Sequence, residues 1–269
     1  MSNPIEFDLI HDRVLVTGGG SGIGRAVALA LAQLGACVYI MGRRKNALGQ
    51  TQEMAAGAPG RIVPVPCDLT SVEEVEAAFA AVERDGGQVQ ALVHSAASVY
   101  FKAPIREMTF DGFSDVIGTT LFTAFNAVHR WGTALLTANL SGAGVVVTST
   151  NAPQGGPGVG HSSAGKAGVE SFVKTAAREW GPAGVRINII GPGIFPVEKT
   201  PPVGQDRVDA VALQRLGQID EIVGPILFML TTAASYCTGA DLRVDGGLRL
   251  PRNVTALDDD RARVAAEYR

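Results

Sequence analysis

The sequence predicts an α/β fold: one doubly wound, parallel sheet of about seven strands with helices on both faces. Three observations predict it. Short β-branched runs alternate with longer helical patterns from end to end of the 269 residues. Most of these runs are almost continuously apolar, as parallel strands covered on both faces must be. A glycine-rich turn follows the first run directly and opens into a helical pattern.

In chain order, strands are expected at residues 13–17, 36–41, 61–66, 91–95, 144–149, 185–190 and 241–244. Helical patterns lie between them at 24–34, 44–56, 71–84, 111–137, 162–180 and 220–230. Such alternation implies right-handed strand–helix–strand crossovers. No linker, repeat or low-complexity stretch interrupts it, so a single domain is expected over residues 1–269, with its core at 13–247. The Pro- and Gly-rich segment 191–216 is expected to lie over the strand ends where ligands bind. Residues 249–269 read as a polar tail with a helical stretch at 256–267.

Composition narrows the function. Apolar residues make up 46% and charged residues 18%, which excludes a disordered or coiled-coil chain. A net charge of −3 argues against nucleic-acid binding, which needs a basic face. Cys37, Cys67 and Cys237 are far apart and form no CxxC pair, so neither a disulfide framework nor a metal site is expected. No signal peptide is visible at the N-terminus, and the most apolar stretch, 26–41, is broken by Gln33 and Gly35 and too short to cross a bilayer. The ending Glu267-Tyr268-Arg269 is not a peroxisomal address. The expectation is a cytoplasmic protein without membrane or nucleic-acid partners.

The glycine loop reads Thr17-Gly-Gly-Gly-Ser-Gly-Ile-Gly24. Gly18, Gly22 and Gly24 let the backbone turn sharply and approach a pyrophosphate at the next helix N-terminus, the phosphate site of a Rossmann fold. Their spacing is G-x-x-x-G-x-G rather than the usual G-x-G-x-x-G. The second strand ends Ile40-Met41-Gly42-Arg43-Arg44. An acid here would favour the ribose 2′-hydroxyl of NAD; Gly42 with two arginines after it favours the 2′-phosphate of NADP(H). Positive charge at a helix start opposes the dipole, so Arg43 and Arg44 have no helix-stabilising reason to be there. Asp68, in Cys67-Asp68-Leu69-Thr70, either accepts from an adenine amino group or caps the following helix, a task Thr70 or Ser71 could also perform.

Together these features resemble the short-chain dehydrogenase/reductase family from about Arg13 to Gly247. The carrying landmarks are the Thr17–Gly24 loop, Asp68, Pro192-Gly193 after the sixth strand, and Val244-Asp245-Gly246-Gly247. The resemblance implies a nicotinamide cofactor held by Gly18, Ser21, Gly22, Ile23, Gly24, Arg43, Arg44, Asp68, Leu69, Ala96, Lys166, Pro192 and Gly193. It implies a catalytic set of Ser149, Ser162, Lys166, Thr120 and His161. Members usually carry Ser, Tyr thirteen positions on, and Lys four later, with Asn on the preceding long helix. Ser149 and Lys166 match that spacing, but the tyrosine position holds Ser162 and the asparagine position Thr120. His94-Ser95-Ala96-Ala97 stands where Asn-Asn-Ala-Gly is usual.

Chemically, a tyrosine of pKa ~10 gives its proton to a developing alkoxide. Serine is a far weaker acid and a ring's length shorter, so Ser162 donates a hydrogen bond at most. Lys166 keeps the implied task of holding the nicotinamide ribose, and Ser149 that of polarising a substrate oxygen. The segment around His161-Ser162 and Lys166-Ala167-Gly168-Val169-Glu170 looks like the 2,4-dienoyl-CoA reductase branch, which lacks this tyrosine. Hydride addition to a conjugated thioester leaves charge on an oxygen held by hydrogen bonds, and water can supply the proton. Two features depart from that branch: Asn151 stands where the mitochondrial kind has a substitute tyrosine, and no acid stands near Thr120 as in the peroxisomal kind.

His161 has two readings: a helix-start cap or neighbouring-subunit contact, and a proton donor or substrate contact. His94 is expected to be structural. Helices 111–137 and 162–180 are apolar on more than one face, and relatives pair through them, so a homodimer or homotetramer is expected. The leading expectation is an NADPH-dependent reductase of an activated C=C or C=O bond in a small acyl or ketide-like substrate. The alternatives are a ketoreductase using water or His161 as acid, and a catalytically silent NADP-binding sensor or scaffold.

Overall fold

The computed structural model describes residues 8–9, 11–97, 101–197 and 202–251. The expected tail, with its helix at 256–267, falls almost wholly outside the described residues. Seven strands form one parallel sheet: β1 (Arg13–Thr17), β2 (Cys37–Gly42), β3 (Arg61–Pro66), β4 (Ala91–His94), β5 (Gly142–Val147), β6 (Val185–Pro192) and β7 (Asp241–Val244). Their order is β3-β2-β1-β4-β5-β6-β7. The order reverses between β1 and β4, which opens the crevice that ligands use in such sheets.

Among the described residues, eight α-helices accompany them: α1 (Gly22–Gln33), α2 (Lys45–Met54), α3 (Val72–Arg84), α4 (Phe110–Ile117), α5 (Thr123–Ala138), α6 (Gly160–Trp180), α7 (Gln205–Val208) and α8 (Ile219–Met229). Two apolar layers sandwich the sheet. Val27, Leu31, Leu48, Ile222 and Ile226 of α1, α2 and α8 pack on one face. Phe79, Trp131, Val173 and Trp180 of α3, α5 and α6 pack on the other. Buried strand positions such as Leu15 and Val16 serve opposite layers in turn, which is why the strands read as unbroken apolar runs.

Two expectations need correction. The single helix expected over 111–137 is three pieces, because a π-helical turn at Gly118–Phe122 separates α4 from α5. Thr119 and Thr123 hydroxyls donate to carbonyls three and four residues back across this turn (3.0–3.4 Å), a pairing the apolar periodicity does not encode. The fifth strand runs two residues earlier than expected, so Ser149 stands beyond its end rather than within it.

Ser71 settles the capping question after β3. Its hydroxyl accepts from Glu74 N at 3.1 Å, so Asp68 is not the cap of α3. The reading of helices with several apolar faces resolves in two ways. Val169, Val173, Ala176 and Ala177 of α6 are buried within the chain, whereas Ala164, Ala167, Gly168 and Phe172 are not. Phe122 and Phe125 are exposed at 54% and 45%, and Phe125 lies 5.5 Å from Phe172 between ring centroids.

Candidate cofactor and active site

The carboxyl ends of the central strands and the loops beyond them enclose a cavity of about 670 Å³. The glycine loop forms one wall. Gly18 N donates to Met41 O (2.8 Å), and Arg25 donates to Gly20 O (2.6 Å). Thr51, itself a 3.2 Å acceptor of Arg25 Nε, donates to Gly19 O (3.0 Å). Gly24 works by its lack of a side chain: a Cβ there would lie 2.5 Å from Gly18 O. Loop and helix start are thereby locked together, with the first-turn amides of α1 beside the cavity, where an anion is stabilised.

Arg43 and Arg44 line the rim above this loop, and Arg44 donates to Ser21 Oγ at 2.9 Å. Asp68 lines the opposite side. Its Oδ1 accepts from Thr70 N (3.0 Å) and Thr70 Oγ1 (2.8 Å), bonds that hold its carboxyl below the usual carboxylate range. Beside it, burial pushes the Cys67 thiol up to about 11 and leaves it protonated.

Below the loop, Thr17 and His94 tie β1 to β4. Thr17 Oγ1 accepts from Ser95 N (3.1 Å) and Ala96 N (3.2 Å), and meets His94 Nδ1 at 3.0 Å. Burial, followed by the charge of Lys166, pushes His94 down to about 3, so it is neutral and can accept the Thr17 hydroxyl proton. This agrees with a structural His94, and it orients the Ser95–Ala97 backbone that lines the cavity.

Lys166 forms the floor with Val147 and Thr148. Its Nζ donates to Thr148 O at 2.5 Å. Burial lowers its pKa to about 8, although Glu170 one turn on opposes the shift. The floor lysine is therefore a weakened but still largely protonated ammonium near neutrality.

The other four residues of the expected catalytic set do not line the cavity. Ser162 is buried at i−4 from Lys166 on α6. Ser149 accepts from Asn151 N (3.2 Å) and follows β5 on the same side of the sheet. Thr120 sits on the π turn against α6, 3% exposed, with no partner for Oγ1. His161 is fully buried, its ring edge-on to Phe101 at 4.7 Å. Its Nδ1 accepts from Ser162 N (2.9 Å), a first-turn amide of α6, while Nε2 has no partner. The capping reading of His161 fits this bond; the subunit-contact reading does not, because the ring is interior.

Of the expected cofactor residues, Gly18, Ser21, Gly22, Ile23, Arg43, Arg44, Asp68, Leu69, Ala96, Lys166 and Pro192 line the cavity. Gly24 acts through packing, and Gly193 extends the β6–β7 ladder through Gly193 N to Val244 O (2.9 Å). Sequence reasoning missed Thr119, Thr123, Thr148, Phe195 and Val197. Phe195 and Val197 belong to the segment expected over the strand ends, but nothing local marks which of its side chains turn inward. Among the described residues, no cluster of His, Cys, Asp and Glu is placed to hold a metal, and no helix is long and apolar enough to cross a membrane.

A family model described as enoyl-(acyl carrier protein) reductase matches residues 18–249. The chain belongs to the short-chain dehydrogenase/reductase family. It is 34% identical over 240 residues to the 3-oxoacyl-[acyl-carrier-protein] reductase MabA of Mycobacterium tuberculosis, covering 87% of this chain and 92% of that one. It is 32% identical over 250 residues to a probable 2,4-dienoyl-CoA reductase of Bacillus subtilis, covering 87% and 95%. A crystal structure of a short-chain dehydrogenase from Bacillus anthracis superposes with a TM-score of 0.84 at 31% identity, covering 89% of this chain and 97% of that one. The chain is thus an oxidoreductase of a family that binds NAD(P)(H), and the cavity at the sheet's reversal point is where the fold places a dinucleotide.

Proposed function

We propose that this oxidoreductase is an NADPH-dependent reductase of a conjugated thioester or similarly activated bond, working without a tyrosine acid. The observation that carries the reading is the pairing of Lys166, on the cavity floor, with Ser162 one turn before it where the family's tyrosine stands. The rim supports the cofactor choice: Gly42 leaves no carboxylate at the end of β2, and Arg43 and Arg44 suit a 2′-phosphate. The first-turn amides after Gly22 would face the pyrophosphate, Asp68 the adenine amino group, and Lys166 the nicotinamide ribose.

Bound NADPH supplies hydride. The chain's own part would be to hold the acceptor oxygen as charge gathers on it, through the Ala97 amide on the cavity wall and, once their side chains turn inward, the hydroxyls of Ser149 and Thr120, which stand outside the lining. The ammonium of Lys166, itself held on Thr148 O, adds positive potential below that oxygen. Water then protonates carbon. A ketone would ask more, since its alkoxide needs a proton at oxygen in the same step.

A second reading, ketone reduction with water as the acid, draws on the likeness to a 3-oxoacyl reductase; His161, the other candidate donor, lies outside the cavity lining with its Nδ1 engaged by Ser162 N. The test follows NADPH absorbance with a conjugated thioester, a matched saturated ketone and a quinone. Turnover of the thioester, with deuterium from solvent appearing on carbon, is the expected result. Turnover of the ketone alone defeats the leading reading, and Ser162→Tyr should then raise the ketone rate. The exposed Phe122 and Phe125, with the partly buried Phe172 beside Phe125, fit a homodimer or homotetramer paired through α5 and α6. Three free cysteines fit the cytoplasm.

A further inference from the structure

Behind the cavity floor lies an ion pair that the chemistry above does not use. Glu170 of α6 and Arg243 of β7 meet at 2.8 Å with side chains 6% and 3% exposed. Burying two charges is costly, and a pair of well-packed apolar side chains would usually serve stability as well or better. Its contacts supply a different reason for its presence. Glu170 Oε1 accepts from Thr148 Oγ1 at 2.8 Å. Arg243 Nη1 donates to Ser149 O at 2.6 Å, and Nη2 also reaches Asp241 at 2.5 Å. Asp245, two residues on, accepts from Thr150 Oγ1 at 2.6 Å. Three consecutive residues after β5 are therefore gripped from behind, on hydroxyl, carbonyl and hydroxyl.

That segment carries Ser149 and, through Thr148 O, the anchor of the Lys166 ammonium. The route of the guanidinium is built into the sheet. Arg243 pairs in register with Gly191 of β6, and a Cβ at Gly191 would collide with the guanidinium on its way to Ser149 O. Gly191, Glu170 and Arg243 thus form one device drawn from three elements.

We propose that the buried Glu170–Arg243 pair is a positioning device for Ser149 and Lys166, fixing the segment 148–150 and holding the lysine on Thr148 O. The proposal deepens the reading above, because it assigns a role at the same site. The charged and titratable groups bearing on Lys166 are Glu170 on its own helix and neutral His94 on β4, with Arg243 reaching it through Glu170 and the backbone. Removing Glu170's charge while keeping its shape should leave the ammonium less favoured and the amine more reactive.

The experiment measures acylation of Lys166 by a water-soluble succinimidyl ester at pH 7, read by mass spectrometry on its peptide, which needs no cofactor or substrate. The proteins are the full chain, Glu170→Gln, and the double variant Glu170→Met with Arg243→Met, which replaces the pair by apolar side chains and leaves no lone buried charge. The double variant should melt within a few degrees of the unaltered chain and Glu170→Gln, in which Arg243 keeps only Asp241, several degrees lower; both, while folded, should label Lys166 at least about threefold faster, the change expected of half a pKa unit. Labelling at the unaltered rate in either folded variant overturns the positioning role and leaves the pair as strand-to-helix packing. NADPH titration of the same preparations keeps the two readings apart. If the unaltered chain binds no nicotinamide dinucleotide, the cofactor reading fails, and the labelling rates alone still decide the positioning role.

Discussion

At the β1 end of the cavity the polar groups hold one another, whereas at the β5 end several stand buried and alone. The glycine loop is bound by Arg25, Thr51 and the Met41 carbonyl, and the Thr17 hydroxyl gathers two amides and His94. Around α6 and the π turn, Thr120 Oγ1, Ser163 Oγ and His161 Nε2 have no partner, and the Lys166 ammonium is bonded to one carbonyl, Thr148 O. A site for an invariant ligand part gains from rigid, satisfied walls. Buried groups without partners are the ones a bound substrate or ordered water would satisfy, and they are where a fold stores cost for function.

The sharpest break of that comparison uses two helical glycines. Gly24→Ala drives a Cβ into the Gly18 carbonyl, and backbone on both sides prevents relief. Stability should fall by about 3 kcal/mol in spite of the better helix propensity of alanine. Gly165→Ala places its Cβ 3.2 Å from Thr120 Cβ and 3.3 Å from its Cγ2, tight contacts that a shift of a few tenths of an ångström would relieve. Chemical denaturation should show it within about 1 kcal/mol of the unaltered chain. Equal losses in the two variants would mean that the two ends are equally rigid.

The floor lysine sharpens the contrast through pH. Lys166 titrates near 8 in the folded chain against 10.5 for an ordinary lysine, so between those values the unfolded chain binds more protons and stability rises with pH. Below about 8 the full penalty is present; above 10.5 it has gone. Lys166→Met should therefore be more stable than the unaltered chain at pH 7, by on the order of 2 kcal/mol, with the gap closing toward pH 10.5. A variant that is less stable at pH 7, or a gap that ignores pH, would show that the ammonium is well satisfied.

An effect smaller than those of Gly24→Ala and Lys166→Met lies on the satisfied side. Arg43→Ala removes one charged donor from the rim, and should weaken NADPH binding by about 1.5 kcal/mol while leaving NADH almost unchanged. Calorimetry with both nucleotides checks it, and equal or tighter NADH binding by the unaltered chain would defeat the NADPH assignment.

These two ends also differ in how legible they are. The cofactor wall is local: strand, Thr17–Gly24 loop and α1 are contiguous, and the arginines follow β2 directly. Strand and helix positions for the core were readable because burial on both faces leaves an apolar run with its own length. The π turn was not, since an extra residue per turn leaves the apolar pattern of 111–137 nearly intact. Whether Asp68 or Ser71 caps α3 was open because both side chains are chemically able to do it.

By itself, the sequence determined the order of elements, the glycine loop, the charge beside it and the presence of Ser162 four residues before Lys166. Those are properties of neighbours along the chain, fixed by periodicity and spacing. Only the tertiary structure decided that His161 is interior, that Thr119, Thr123 and Thr148 face the cavity, and that Glu170 and Arg243 grip the segment bearing Ser149. Each depends on parallel register and helix packing that bring together residues tens of positions apart; in β7 a one-residue change of register would turn Arg243 to the other face.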